Sequence, residues 1–454
     1  VDLLIKNATV VTGDGTMVMK QASVWVDKGL IQGVEQGTDK VPAEAVVAKT
    51  IDARGFYVIP GTINNHAHGC ALGPLFPSGT NPLSLDRALR NADRFMLQGT
   101  TTLVNVCGLH TVADVEEVNS RHPMNIKAGT GHVPSNIRAA QIVDGAGLKG
   151  EHLSTTPEAM LEAGAVLIGE MAGGPTLGGG VQDYMLLPNA FLAETGVEVD
   201  APLAKGIKVA AIGRYMRPEE YRVENMEAAL RKAGLEGKVS PERARDIIYE
   251  IALPPVTSAL QGFDEASEVS ARTGVPAVFH NSAVSAQRLI ALGKKYQGTP
   301  AVLVAGHSNH NMFDIEECVK VAREMRDLGV VIDVSTLDGV VTLWRNFPER
   351  LEALVSEGLV DTLSTDYGAG HWDGVLECIH FLVKRGRCSL PQGVAMATGN
   401  VAKIFHRAAP NRGFLAPGKV ADIVIADDKN IGRVEAVIIG GRVVANCSWL
   451  TYAS

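Results

Sequence analysis

Five times along this chain a run of apolar residues ends in a side chain able to bind a metal. Tyr57-Val58-Ile59-Pro60-Gly61-Thr62-Ile63-Asn64-Asn65 leads into His66-Ala67-His68. Ala165 to Gly169 ends at Glu170, Val275 to Phe279 at His280, Ala301 to Gly306 at His307, and Leu359 to Thr365 at Asp366. Near-continuous apolar runs are how strands buried on both faces of a parallel sheet read. Residues 99–106, 124–131 and 328–334 supply three more strands, and helical periodicity at 82–97, 314–327 and 347–357 fills gaps between them. Strands alternating with helices predict βα units, and eight such strands predict a (β/α)8 TIM barrel, α/β in class, whose carboxyl strand ends converge on one mouth.

Outside this region the pattern changes. Asp2 to Val11 and Ala22 to Gly29 alternate like half-buried strands around the turn Thr12-Gly13-Asp14-Gly15, and Ala421–Ala426 and Val434–Ile439 read as strands near the other end. Neither group covers itself. They predict a small composite β-domain made from 1–57 with 410–454, closing around the barrel at 58–409. Between Glu170 and His280 lie too many residues for one βα connection. An insertion at about 172–260 is expected, carrying a lid or an extra strand at the apolar run Gly206 to Gly213. The glycine-rich stretch Ala172 to Gly180 reads as a mobile loop over the mouth or a tight connection.

Composition narrows the partners. With 454 residues, 46% hydrophobic and 20% charged, the chain has room for one large and one small domain. A net charge of −8 argues against nucleic acid or an anionic membrane and for a small-molecule substrate. Six cysteines without a C-x-x-C pair suggest neither a disulfide framework nor a zinc ribbon. No secretory leader pattern or bilayer-length apolar run is legible, so a cytoplasmic protein is expected.

Histidines one residue apart on a strand point the same way, so His66 and His68 can reach one ion. Each ligand alone has an ordinary reading: the histidines as satisfied polar groups at strand ends, Asp366 as a helix N-cap before Tyr367 and Gly368. Together, four imidazoles and two carboxylates on five strand ends are what two divalent ions about 3.5–4 Å apart require. One ion would take His66, His68 and Asp366, the other His280 and His307. Glu170 would bridge them, its charge offsetting the repulsion between cations.

The run Pro60-Gly61 to His66-x-His68 resembles the amidohydrolase superfamily, as do Gly99-Thr100-Thr101-Thr102, Ser364-Thr365-Asp366, Ala397 to Ala402 and Arg412 to Val424. The resemblance covers essentially the whole chain and implies a distorted (β/α)8 TIM barrel beside a composite β-sandwich. It implies metal-assisted hydrolysis by a hydroxide bridging two ions, with Asp366 as metal ligand and as the catalytic base that becomes the acid. It also implies a homo-oligomer, a dimer or tetramer. Zinc is expected in at least one position, with iron as the candidate for the second. Many binuclear members carry a carboxylated lysine where this chain has Glu170; Gly169-Glu170-Met171 resembles the adenine deaminase branch instead. Lys208 is the rival bridge if the fourth strand were 206–213. Within the family the whole-chain pattern is most like enzymes that open cyclic enamides, which implies 6-oxo-1,4,5,6-tetrahydronicotinate as substrate and 2-formylglutarate and ammonium as products. A carboxylate on the substrate calls for a cation, and Arg214 is the candidate; His310, His371 and Trp372 follow ligand-bearing strands and are candidates to line the pocket. Two alternatives stand: an adenine-type nucleobase deaminase with the same metals, and a non-catalytic assembly protein of the same fold.

Overall fold

Eight parallel strands lie side by side in chain order and form the barrel of a computed structural model that describes residues 1–37, 46–73, 81–343, 347–366, 373–446 and 452–453. They are β1 Thr62–Ala67, β2 Thr100–Asn105, β3 Asn125–Thr130, β4 Leu167–Met171, β5 Ala277–His280, β6 Leu303–Gly306, β7 Val331–Ser335 and β8 Thr362–Ser364. The last strand returns to the first: Asn64 Nδ2 donates to Thr365 Oγ1 at 2.7 Å, and the Asp366 amide donates to the His66 carbonyl at 2.8 Å.

Both faces of these strands are buried, and the pleat decides what each face carries. On β5, Ala277 and Phe279 pack outward with Phe263 and Leu289 of the surrounding helices. Val278 packs inward with Ile63, Val104, Leu167 and Val304, over a floor containing Val401 and Phe405. His280, two residues beyond Val278, shares its inward face. Each fully buried Val, Leu or Phe contributes about 1.5–3 kcal/mol, so the apolar runs themselves fix which way the terminal ligand points.

The strands at the two chain ends share a second, nine-stranded sheet. Phe56–Pro60 joins them, pairing in parallel with Thr9 and Val10 and antiparallel with Ile423–Asp427. The sheet curls until the Gly29 turn meets the Gly440-Gly441 turn, enclosing Ile5, Val24, Ile31, Ile423 and Ile438.

The segment between β4 and β5 is helical, which corrects the expectation of an extra strand at 206–213. Ala201–Ile212 is an α-helix with Asp200 as N-cap, accepting the Leu203 amide at 2.9 Å, and Pro202 in its first turn. Its buried residues are Ala204, Ile207, Lys208, Ala211 and Ile212, spaced at i, i+3, i+4, i+7 and i+8, which is one face of a helix. The run is apolar because this face packs on Pro241–Thr273, a long helix that shares its core through Ile247, Ile248 and Val256. The 172–180 stretch is a tight connection: the Leu177 amide donates to the Gly173 carbonyl at 2.9 Å and the Gly179 amide to that of Gly174 at 2.7 Å. Among the described residues no helix is long and apolar enough to cross a membrane.

Candidate metal centre

Six side chains converge at the carboxyl ends of five barrel strands. The ligand atoms of His66, His68, Glu170 and Asp366 lie within 4.8 Å of one another, and so do those of Glu170, His280 and His307. Glu170 belongs to both groups. Its Oε1 lies 2.9 Å from His280 Nδ1 and 3.0 Å from His307 Nε2, while Oε2 lies 3.4 Å from His66 Nε2 and 3.6 Å from His68 Nε2. Asp366 Oδ1 closes the first group at 3.2 Å from His66 Nε2 and 3.1 Å from His68 Nε2.

The backbone holds this arrangement at a cost. His307 and Asp366 sit at φ +35° and +50°, the left-handed region that disfavours side chains with a Cβ. Gly306 lets the strand approach closely, since a Cβ there would stand 3.1 Å from the His66 ring and crowd it. Gly169 is required twice over, by φ +117° and by the Val278 carbonyl 2.3 Å from any added Cβ. Beneath the ligands lies a residue that the sequence reading passed over. Asp333 of β7 is fully buried; its Oδ1 accepts from Asn65 Nδ2 at 3.0 Å and Thr362 Oγ1 at 2.6 Å, and its Oδ2 from Ser364 Oγ at 2.8 Å. It thereby ties the strands carrying His66, His68 and Asp366. The signal was available: a lone carboxylate inside the apolar run Val331-Ile332-Asp333-Val334 of a strand buried on both faces.

Both carboxylates of the cluster are held ionised by the imidazoles around them. Burial alone would raise the Glu170 carboxyl, yet the charge of His66 and bonds to His280 and His307 hold it well below the usual carboxylate range. Asp366 is likewise depressed against burial by His307 and His66. Burial and the neighbouring His307 push His280 down. Both nitrogens of the fully buried His66 lack an aligned hydrogen-bond partner, and His307 Nε2 faces His280 Nδ1 at 3.1 Å, nitrogen to nitrogen. Donors bound at about 2.0–2.1 Å to a tetrahedral ion stand about 3.3 Å apart, and the separations across Glu170 run from 2.9 to 3.6 Å. Imidazole and carboxylate donors with these spacings fit divalent metal, and the two groups share Glu170.

The amidohydrolase family pattern matches residues 57–444, most of the chain. The chain belongs to the amidohydrolase family. Among curated relatives, a 5-methylthioadenosine/S-adenosylhomocysteine deaminase of Caldicellulosiruptor saccharolyticus is 33% identical over 67 residues, 15% of this chain and 16% of that protein. A D-hydantoinase of Ralstonia pickettii is 35% identical over 106 residues, 23% of this chain and 20% of its own. The matched stretches thus span a fifth or less of those relatives. A solved enamidase structure aligns over 99% of this chain and 100% of its own at 16% identity, with a TM-score of 0.50, a likeness of fold.

Of the other residues singled out in this amidohydrolase, some lie elsewhere. Lys208 sits on the 201–212 helix with its ammonium on the Gly178 carbonyl and the Asp183 carboxylate, so the structure does not bring it to the ligand set as a rival to Glu170. Arg214 is engaged on the surface by Asp314 Oδ1 at 3.1 Å, by Glu317 Oε2 at 3.1 Å and by the Tyr215 hydroxyl at 2.7 Å. It is not in contact with the six clustered side chains. His310 is: its ring centroid lies 5.3 Å from that of His280 and 5.4 Å from that of His307. His371 and Trp372 fall outside the described residues. The five described cysteines are free.

Proposed function

We propose that this protein is a binuclear metal-dependent hydrolase that opens a cyclic amide, with 6-oxo-1,4,5,6-tetrahydronicotinate as substrate and 2-formylglutarate and ammonium as products. The observation that carries the reading is Glu170 set between His66 and His68 on one side and His280 and His307 on the other. Its two oxygens give each group of imidazoles a shared anionic ligand. Zinc in at least one position, with iron as the candidate for the other, agrees with the mixed imidazole and carboxylate donors. Divalent ions bound there would polarise the substrate carbonyl and bring the pKa of water from 15.7 to about 7.

The chain's own residues then divide the remaining work. Asp366 is the most solvent-exposed of the six ligand side chains, at 13%, and so the one best placed to meet substrate. It takes the proton of the attacking water and delivers it to the ring nitrogen as the C–N bond breaks. The released enamine tautomerises to an imine, and a second water converts the imine to aldehyde and ammonia. Glu170, deeper and held on all sides by imidazoles, stays ionised throughout. The enamidase and D-hydantoinase likenesses agree with a ring amide. A second reading, a nucleobase deaminase, is favoured by the deaminase stretch.

Elemental analysis of the purified protein, with ammonia release from 6-oxotetrahydronicotinate and from adenine, tests both. The expected result is two ions per chain and ammonia from the lactam alone. Turnover of adenine with a silent lactam moves the protein to the deaminase reading, and a chain that binds no metal defeats both.

A further inference from the structure

The loop after β6 carries an imidazole that the six-residue ligand set leaves unused. His310 packs its ring against those of His280 and His307, with centroids 5.3 and 5.4 Å apart. The Met312 amide donates to His310 Nδ1 at 3.2 Å. That bond needs a lone pair on Nδ1, and a neutral imidazole has one donor and one acceptor, so the proton resides on Nε2. Among the described residues Nε2 has no hydrogen-bond partner. It is therefore a donor without a partner in the chain, on a ring that packs against His280 and His307.

The base that carries it is rigid. Ser308 donates its amide to the Asp333 carbonyl at 2.7 Å, and Asn309 bridges to β7, donating to the Ser335 carbonyl at 2.8 Å and accepting its amide at 2.9 Å. The Phe313 amide closes the turn on the His310 carbonyl at 3.2 Å, with its own ring fully buried. A donor oriented before substrate arrives needs no reorganisation during reaction, which is the condition under which such a group stabilises developing charge most. We propose that His310 is a catalytic residue whose Nε2–H donates to the amide oxygen of the substrate as negative charge gathers there. The bond is a hydrogen bond only: the proton stays on Nε2, and Asp366 remains the proton carrier. The assignment rests on the ring-amide reading above for its substrate, but the donor itself does not.

Three zinc-loaded proteins test it: wild type, His310→Gln, whose amide can donate from nearly the same place, and His310→Phe, which keeps the ring packing and removes the donor. Zinc content, the Kd for inorganic phosphate as a tetrahedral oxyanion probe, and kcat and KM for 6-oxotetrahydronicotinate are measured on each. Two zinc ions per chain are expected in all three. His310→Phe should bind phosphate about tenfold more weakly, the value of one hydrogen bond to a charged group, and lose about 10²-fold in kcat with KM little changed. His310→Gln should recover most of both. Phosphate affinity unchanged in His310→Phe overturns the donor, and so does equal loss of zinc in both variants, which would make the residue structural. If wild type is silent on the lactam while His310→Phe still weakens phosphate, the substrate reading has failed and the donor stands.

Discussion

Glu170 and Lys208 are both charged and buried, one ending an apolar run and the other inside one, yet they stand in opposite conditions. The Lys208 ammonium has a carbonyl and a carboxylate to itself, so its charge is answered within the chain. Around Glu170 four imidazoles and a second carboxylate crowd together, His307 Nε2 faces His280 Nδ1 nitrogen to nitrogen, and both His66 nitrogens lack an aligned partner. A buried polar group is ordinarily satisfied. Where satisfaction comes from within, as at Lys208, the group is holding structure; where nitrogen faces nitrogen and buried ring nitrogens lack an aligned partner, the cluster has room for a cation that the chain does not supply.

The sharpest way to break this contrast is to neutralise each charge in turn. Glu170→Gln keeps shape and removes the shared anion. Metal content should fall below two ions per chain, and turnover should fall by more than about 10³-fold, as when one member of an interdependent catalytic set is removed. A variant with full metal content and full activity would refute the bridging role. Lys208→Met should do the reverse. It leaves Asp183 without its cation in a half-buried position and costs about 3 kcal/mol of stability, read as a lower denaturation midpoint, with both ions retained. Metal loss in Lys208→Met at a temperature where the fold is intact would erase the distinction.

Most of the candidate site was legible because each ligand sits at the end of a strand whose burial pattern is written in consecutive residues. Val278 and His280, two apart, need no knowledge of the rest of the fold to be placed on one face. The insertion was less legible because an apolar run at 206–213 is compatible with either a buried strand or one face of a helix. The deciding marks lay outside the run, in the Asp200 cap, in Pro202 and in the i, i+3, i+4 spacing that begins at Ala204. His310 and Asp333 were harder still. The role of His310 depends on which ring nitrogen meets the Met312 amide, and that of Asp333 on three hydroxyl and amide donors from two other strands. Contacts between distant segments leave no local pattern.

Asp333 occupies an intermediate place in the comparison, internally satisfied like Lys208 but joined to ligand-bearing strands. Asp333→Ala removes the tie while touching no ligand atom. Metal affinity should drop about 10- to 100-fold, the usual effect of losing a group that orients metal ligands. Excess zinc should restore activity, and failure to rescue at saturating metal would assign Asp333 to stability alone.

The smallest effect is expected at Arg214, where the sequence offered a cation for the substrate carboxylate and the structure spends that cation on Asp314, Glu317 and Tyr215. The guanidinium is about a third exposed, at 36%, so these pairs are screened and together are worth less than about 1 kcal/mol. Arg214→Ala should leave metal content unchanged and shift the denaturation midpoint slightly. Its KM for 6-oxotetrahydronicotinate decides what matters: unchanged, it confirms that a surface ion-pair network has answered this charge as Asp183 answers Lys208. Raised tenfold or more with stability intact, it would mean that Arg214 leaves its acidic partners for the substrate, and an internally paired charge would no longer mark a structural residue.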